Sequence, residues 1–307
     1  MVNSKVSIII PIFGVRKYIE KCARSLFEQT FKDIEYIFVD DATPDDSMEI
    51  LKTIVAQYPN KEVKFINKKK NEGLPQARRS GVTIASGDYI LHVDSDDWIE
   101  PDMVETLYKH AQETDADMVC CGWTEEYVDH KEKKIPTPMS LSDYKESILS
   151  LEMDAYVWSR LVKRDLYKNL QFPTFNMFED FAITTQLLDN AHKITFVNRS
   201  LYHYDRSNQN SITSQRYRYV LTQEIHNIYQ VYQREVKKRG EEEKSRILGR
   251  MTYAMGWHNV RHHLNNNLTA EENRNIRSGV LKQLPNKNLG FPMYKQIFLK
   301  GFYHIHL

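Results

Sequence analysis

Gly87-Asp88-Tyr89-Ile90-Leu91-His92-Val93-Asp94-Ser95-Asp96-Asp97 is an apolar run that ends in acid. The run reads as a buried strand. Side chains at i and i+2 of a strand point to the same side, so Asp94 and Asp96 can share one cation. Hard oxygen ligands of this kind suit magnesium or manganese, which bind through one or two carboxylates and complete their shell with water and phosphate oxygens. The plainer alternative is an Asp-rich turn before a helix that begins near Pro101, because Asp favours turns and N-caps. The surrounding sequence decides between the two.

Upstream, short β-branched runs alternate with amphipathic stretches. Strands are expected over Val6–Ile12, Ile34–Asp40, Val63–Asn67, Tyr89–Asp94 and Asp117–Cys121. Ile19, Cys22, Ala23 and Leu26 follow the i, i+3, i+4, i+7 rule of a helix. A second helix starts near Ser47 with Ile50, Leu51, Ile54 and Val55 as its apolar face, a third spans Leu74–Ala85, and a fourth begins at Pro101 and carries Met103, Val104, Leu107 and Tyr108. This βαβ rhythm predicts an α/β fold with a mostly parallel sheet. Ligands of such sheets gather beyond the carboxyl ends of the strands, where Pro11–Gly14, Asp40-Asp41 and Asp94-Ser95-Asp96 all fall.

Composition narrows the class without naming a partner. The 307 residues carry 42 Lys and Arg against 41 Asp and Glu, so bulk charge points to no polyanion such as nucleic acid. Cys22, Cys120 and Cys121 form neither a disulfide framework nor a zinc-site spacing, which fits a reducing cytosol. The apolar segment Val6–Ile12 is too short for a signal peptide, and no uncharged run of about 20 residues is present to span a bilayer. The expectation is a cytoplasmic chain, soluble or peripheral at the inner face of a membrane.

A dinucleotide-binding sheet would carry a Gly-rich turn after its first strand. Here that strand ends Pro11-Ile12-Phe13-Gly14-Val15-Arg16, and no G-x-x-x-x-G-K-[ST] loop occurs either. Without a glycine cradle, phosphate charge has to be met by other means, and a metal on Asp96 is the device at hand.

Several ordered blocks then carry a resemblance. Ser7–Phe13, Ser25–Phe31, Glu35–Asp45, Asn71-Glu72-Gly73, Ala77-Arg78, Gly81, Ala85–Ile90 and Asp94–Asp97 resemble, in sequence, the opening blocks of family 2 glycosyltransferases. Two positions depart from that pattern: Gly14 stands where Asn is usual, and Arg79 where Asn usually follows Ala-Arg. The resemblance implies a GT-A (Rossmann-like) nucleotide-diphospho-sugar transferase fold and inverting transfer from a nucleotide diphosphate sugar to a glycan or lipid-linked glycan. By the same resemblance, Pro11 and Phe13 line the nucleobase pocket, Asp40 accepts a hydrogen bond from a uracil-type base, and Arg78 lies near base and phosphates. Asp94 faces ribose or metal with Ser95 beside it, and Asp96 binds the cation. A carboxylate accepts readily from the uracil imide N–H, so UDP donors are favoured. The bland alternatives are Asp40 or Asp41 as a helix cap near Ser47, and Arg78 as a solvated helix residue.

Beyond Gly122 the pattern changes. By the same resemblance, Val157–Arg164 stands for the family's Trp-containing helix and Glu179-Asp180 for the acidic pair that follows it, at the head of a helix over Phe181–Asn190; a further helix is expected around Tyr144–Leu151. Inverting transfer needs one base to remove the acceptor hydroxyl proton. Asp180 is the candidate, with Glu179 in support; the alternative, compatible with it, is that both simply favour the positive end of the helix. His203 and Arg206, in a segment that resembles the family's donor-closing loop, are candidates for adding positive charge at the leaving group. A His between two tyrosines is, however, more often a packed, hydrogen-bonded residue. Trp158 can stack on an acceptor sugar or fill the core.

The implied organisation is a nucleotide-sugar half at 1–121, an acceptor half at 122–214 and a helical C-terminal extension at 215–307. In the extension, His258, His262 and His263 have metal-like spacing but read better as a solvated helix face. Phe291–His304 mixes aromatics with lysines and can pack on the body, form a homodimer contact or lie on an anionic membrane. Two competing functions stay open, a non-catalytic sugar-nucleotide-binding scaffold and a sugar-nucleotide pyrophosphorylase, although the Gly-rich loop of the latter is missing.

Overall fold

The computed structural model of the chain describes residues 4–149, 153–174, 176, 178–208, 231 and 234. His258, His262, His263 and the segment 291–304 lie outside them. The chain divides into two compact units, Met1–Leu141 with Tyr156–Gln215, and Ser142–Ala155 with Arg216–Leu307. In the second unit falls most of one helix, α5 (Leu141–Leu149), which buries Tyr144, Ile148 and Leu149. Everything that follows concerns the first unit.

Its centre is four parallel strands, β1 (Val6–Ile12), β2 (Ile34–Asp40), β3 (Glu62–Asn67) and β4 (Tyr89–His92), in the order β3-β2-β1-β4. Every residue of β1 and β4 is buried. That is the mark of strands covered on both faces, and it explains their continuous apolar sequence. The chain runs outward from β1 to β3 on one side and returns to β4 on the other. The crevice between β1 and β4 is therefore a switch point, where ligands of open α/β sheets settle.

Helices fill the crossovers. Helix α1 (Ile19–Phe27) buries Ile19, Cys22, Ala23, Leu26 and Phe27, the face its spacing predicts. Helix α2 (Ser47–Val55) buries Met48, Leu51 and Ile54, while Ile50 and Val55 pack at its margin. Helix α3 (Leu74–Ile84) crosses β1 so closely that a Cβ added at Gly81 would stand 2.4 Å from Ile9 Cγ2. Gly81→Ala therefore overpacks that crossing, a change that costs about 1–3 kcal/mol. Helix α4 (Met103–Thr114) starts two residues later than Pro101, because the Pro101 carbonyl is spent on the Thr30 N–H at 2.8 Å.

Past β4 the sheet turns mixed. The remaining strands are β5 (Trp98–Ile99), β6 (Met118–Glu126), β7 (Lys131–Lys134), β8 (Arg160–Lys163) and β9 (Ile194–Asp205), with helix α6 (Glu179–Asn190) before β9. Strand β8 is antiparallel to both β4 and β6, and β9 is parallel to β6. The Val157–Arg164 segment, expected as a helix, is instead a 3-10 turn at Val157–Ser159 running into β8. An apolar run this short has no period that separates strand from buried helix, and the open edge of β4 claims it. Trp158 is 2% exposed and stacks on Tyr202 at 4.2 Å and on Tyr156 at 4.5 Å. Its indole is core rather than a surface for a sugar.

Candidate active site

The loops after β1 and β2 are tied to each other. The Gly14 N–H donates to Thr43 Oγ1 at 2.8 Å, Val15 N–H to Ser47 Oγ at 3.2 Å, and Arg16 N–H to Asp45 Oδ2 at 3.0 Å. Gly14 sits at φ +69°, a left-handed conformation open to glycine and, at small cost, to asparagine, which accounts for the exchange seen there. Asp45 receives the Thr43 hydroxyl and the Ser47 hydroxyl and N–H, so Asp45, rather than Asp40 or Asp41, organises the start of α2. Among the described residues the Asp40 carboxylate accepts only the Thr43 N–H, at 2.8 Å on Oδ1, which leaves its Oδ2 without a hydrogen bond to any of them. Beside it in register, the loop after β1 presents Phe13 half exposed above the buried Pro11.

Asp41 has a separate task. Its two oxygens accept the N–H groups of Glu72 at 3.0 Å and Gly73 at 2.8 Å, and Lys68 bridges it to Glu72. This fixes Gly73 at φ +89° at the head of α3. Asn176 completes that head by accepting the Leu74 N–H at 3.0 Å, 102 residues away in sequence. Helix α3 is thus aimed from both sides, and what it aims is Arg78.

Arg78 is fully buried. Its Nη2 lies 3.0 Å from Asp94 Oδ1 and 3.8 Å from Asp180 Oδ1, and its Nε donates to Glu179 Oε1 at 3.0 Å. A guanidinium in this position is no solvated helix residue. Burial opposes its charge, but the carboxylates of Asp94, Glu179 and Asp180 outweigh burial and hold its pKa above the ordinary value. One cation against three anions leaves a surplus of negative charge. Burial, only partly offset by Arg78, pushes Glu179 well above the usual carboxylate range and Asp180 upward as well. Asp180 keeps partial access to solvent, its side chain being 25% exposed, and accepts the Val157 N–H at 3.4 Å.

Asp94 and Asp96 do not end a strand. The ladder of β4 stops at His92, and Asp94–Asp97 form a turn closed by Asp97 N–H to Asp94 O at 3.0 Å. The pair is thus gathered by a turn rather than by strand alternation. Asp97 is buried and fixed by the Tyr202 hydroxyl at 2.6 Å and the Asp205 N–H at 2.8 Å, so it serves the turn. Tyr202 also accepts the Asp94 N–H at 3.1 Å. Ser95 is buried between them. Asp96 accepts the Asn208 amide at 2.9 Å, and among the described residues no Lys or Arg pairs with it. Burial and the negative charge of Asp94 raise its carboxyl to about 6. A half-buried hard-oxygen ligand lacking a counter-charge is the donor chemistry that a divalent cation satisfies, so the residues fit one.

Two candidates lie elsewhere. His203 has Nδ1 2.7 Å from Glu126 Oε1 and Nε2 2.9 Å from Glu100 Oε1, and stacks on Trp98 at 5.1 Å. Both ring nitrogens are engaged by carboxylates, which leaves none for a diphosphate. Arg206 is exposed, stacks on Tyr204 at 5.1 Å and receives its backbone register from Glu126 O. Neither joins Arg78. The residues that sequence reasoning passed over are Lys68, Asn176, Tyr202 and Asn208, and for Asp41 it missed the task at the head of α3; the partners lie 27 to 112 residues distant, except for Lys68 and Glu72, whose i, i+4 spacing was legible.

Residues 7–205 match the family model described as Glycosyl transferase family 2. The chain is 30% identical over 216 residues to Glycosyltransferase GlyG of Streptococcus pneumoniae, across 66% of this chain and 70% of that one. Its fold is shared with S. aureus TarS 1-349, solved in complex with UDP-GlcNAc, at a TM-score of 0.75 and 19% identity over 92% of this chain and 82% of that one. A mannosyltransferase from Pyrobaculum calidifontis, PcManGT, solved with GDP-Man and Mn2+, aligns at a TM-score of 0.59 and 13% identity over 99% of this chain and 86% of that one.

Proposed function

The chain belongs to glycosyl transferase family 2, and from that premise we propose that it transfers a sugar, with inversion, from a UDP-sugar to a glycan or lipid-linked glycan acceptor. The observation that carries the reading is Arg78, which joins Asp94 beyond β4 to Glu179 and Asp180 at the head of α6. A donor-side carboxylate and a base candidate thus meet at one cleft.

In this reading, the nucleobase lies against Phe13 and gives its imide N–H to the uncommitted oxygen of Asp40. The TarS complex with UDP-GlcNAc supports a uridine donor, whereas the GDP-Man complex of PcManGT keeps guanosine donors in the test. Asp96 and Asp94 would hold a divalent cation, Mn2+ or Mg2+, and that ion would supply positive charge to the leaving diphosphate. Asp180 takes the proton of the acceptor hydroxyl while the sugar carbon is attacked from the face opposite the leaving group. Burial raises its pKa above the ordinary carboxylate value, which makes it the stronger proton acceptor. Glu179 and Arg78 hold Asp180 in place, and the buried guanidinium opposes the rise that burial causes. For the organisation of the chain, we retain a donor half at 1–121 and an acceptor half at 122–214.

Thermal stability against UDP-, GDP-, dTDP- and CMP-sugars, each with manganese or with chelator, tests the donor side, since a ligand of the native state raises stability by mass action. The reading expects a manganese-dependent rise for UDP-sugars. A rise with another nucleotide corrects the donor, and no rise with any of them overturns the reading.

A further inference from the structure

Arg79, the neighbour of Arg78 that departs from the family pattern, is not used by this cleft. It is exposed on α3, and its guanidinium makes no hydrogen bond or ion pair to a described residue. It lines a cavity of about 280 Å³ between α3 and the segment that follows β8. Two further cations reach the same cavity. Arg164 commits only its Nε, to Gly87 O at 2.7 Å, and Lys168 is paired with Asp165 at 3.0 Å. Lys168 and Asp165 cancel, so the lining carries two guanidiniums in excess of its acid. They come from separate elements and converge on one small space.

Val82, Ala85, Leu170, Phe172 and the ring of Tyr167 make the apolar part of the wall, and the Thr83 hydroxyl is spent on Arg79 O at 2.8 Å. Tyr167 is 6% exposed and packs inward against His92, ring centroids 5.9 Å apart, so this wall is a fixed part of the fold. Planar guanidinium forks match phosphate oxygens two at a time, and a cavity near the lower end of ligand-site volumes suits a diphosphate or a sugar phosphate.

We propose that this cavity is a second anion site, separate from the donor cleft, that takes a small phosphate-bearing molecule on Arg79 and Arg164. It stands independently of the function proposed above, since neither arginine touches Asp94, Asp96 or Asp180. Arg164 also supports the Gly87 turn, so Arg79 is the residue to change. The experiment is isothermal titration of the full chain with inorganic pyrophosphate in the presence of chelator, for the wild type, Arg79→Ser and Asp96→Asn. The expected result is binding by the wild type, the same affinity in Asp96→Asn, and at least about tenfold weaker binding in Arg79→Ser, the loss that follows removal of a charged hydrogen-bond donor. Equal affinity in Arg79→Ser, an altered affinity in Asp96→Asn, or no binding by the wild type overturns the proposal.

Discussion

Glu35 and Asp96 are carboxylates at opposite ends of the same parallel strands, and their surroundings treat them in opposite ways. Glu35, near the start of β2, is fully buried yet receives the Ser7 hydroxyl, the Ser86 hydroxyl at 2.9 Å, the N–H groups of Ser86 at 2.5 Å and Gly87 at 3.1 Å, and the Lys64 ammonium. Burial works against its charge, but these donors outweigh it, and its pKa falls. Asp96, just past β4, has the Asn208 amide and no cation, and its pKa rises to about 6. The first end of the sheet is a completed structural lock. The second has been left short of positive charge, which is the condition a cleft for a cation and an acidic base requires.

Breaking each end should therefore fail differently. The largest effect is expected from Arg78→Met, which leaves Asp94, Glu179 and Asp180 facing each other without a cation. Stability at neutral pH should fall by about 3–5 kcal/mol in denaturant melts, as when one partner of a buried ion pair is removed. The pH profile of any residual transfer should move upward, because Asp180 loses the charge that favours its ionised form. Glu35→Gln should cost less, about 2–3 kcal/mol, through the loss of charge-assisted hydrogen bonds. Transfer by its folded fraction should be unchanged, since Glu35 lies at the other edge of the sheet; a variant that is stable but inactive would break the contrast between the two ends.

The smallest effect is a pH dependence of opposite sign at the two ends. Asp96 has a folded pKa above its unfolded value, so the folded state holds the proton more tightly, and the stability this contributes is lost as pH rises from 3.8 to about 6. Glu35 has a lowered folded pKa, so its contribution is present above its ordinary value of 4.5 and lost as pH falls through the folded value. Melts with chelator should show the wild type losing stability relative to Asp96→Asn between acid and neutral pH. Manganese should reverse that trend, because it binds the ionised carboxylate. Parallel pH curves for the two proteins would remove Asp96 from the account.

Much of residues 1–121 was legible because local and global signals agree there. Val6–Ile12 and Ile34–Asp40 came out at their expected bounds, since β-branched runs buried on both faces have one stable use in a βαβ chain. The second half was less legible. Trp158 and Leu161 read as helical spacing until β4 offered an edge to pair with. The site was legible as a set of acids but not as a network. An Arg-Arg pair on a helix looks solvated, and nothing local tells that Arg78 is buried against Glu179, 101 residues on, while Arg79 is exposed. The partners of His203 were hidden for the same reason: the carboxylates that engage it, Glu100 and Glu126, are 103 and 77 residues away.

The most direct test of the central claim is Asp180→Asn, assayed for nucleotide binding and for sugar transfer in the same preparation. The account predicts unchanged nucleotide affinity with transfer reduced by about 10²–10⁴, the usual contribution of a general base. Transfer within a few-fold of the wild type would contradict it, and so would the loss of nucleotide binding together with transfer in a variant that remains folded.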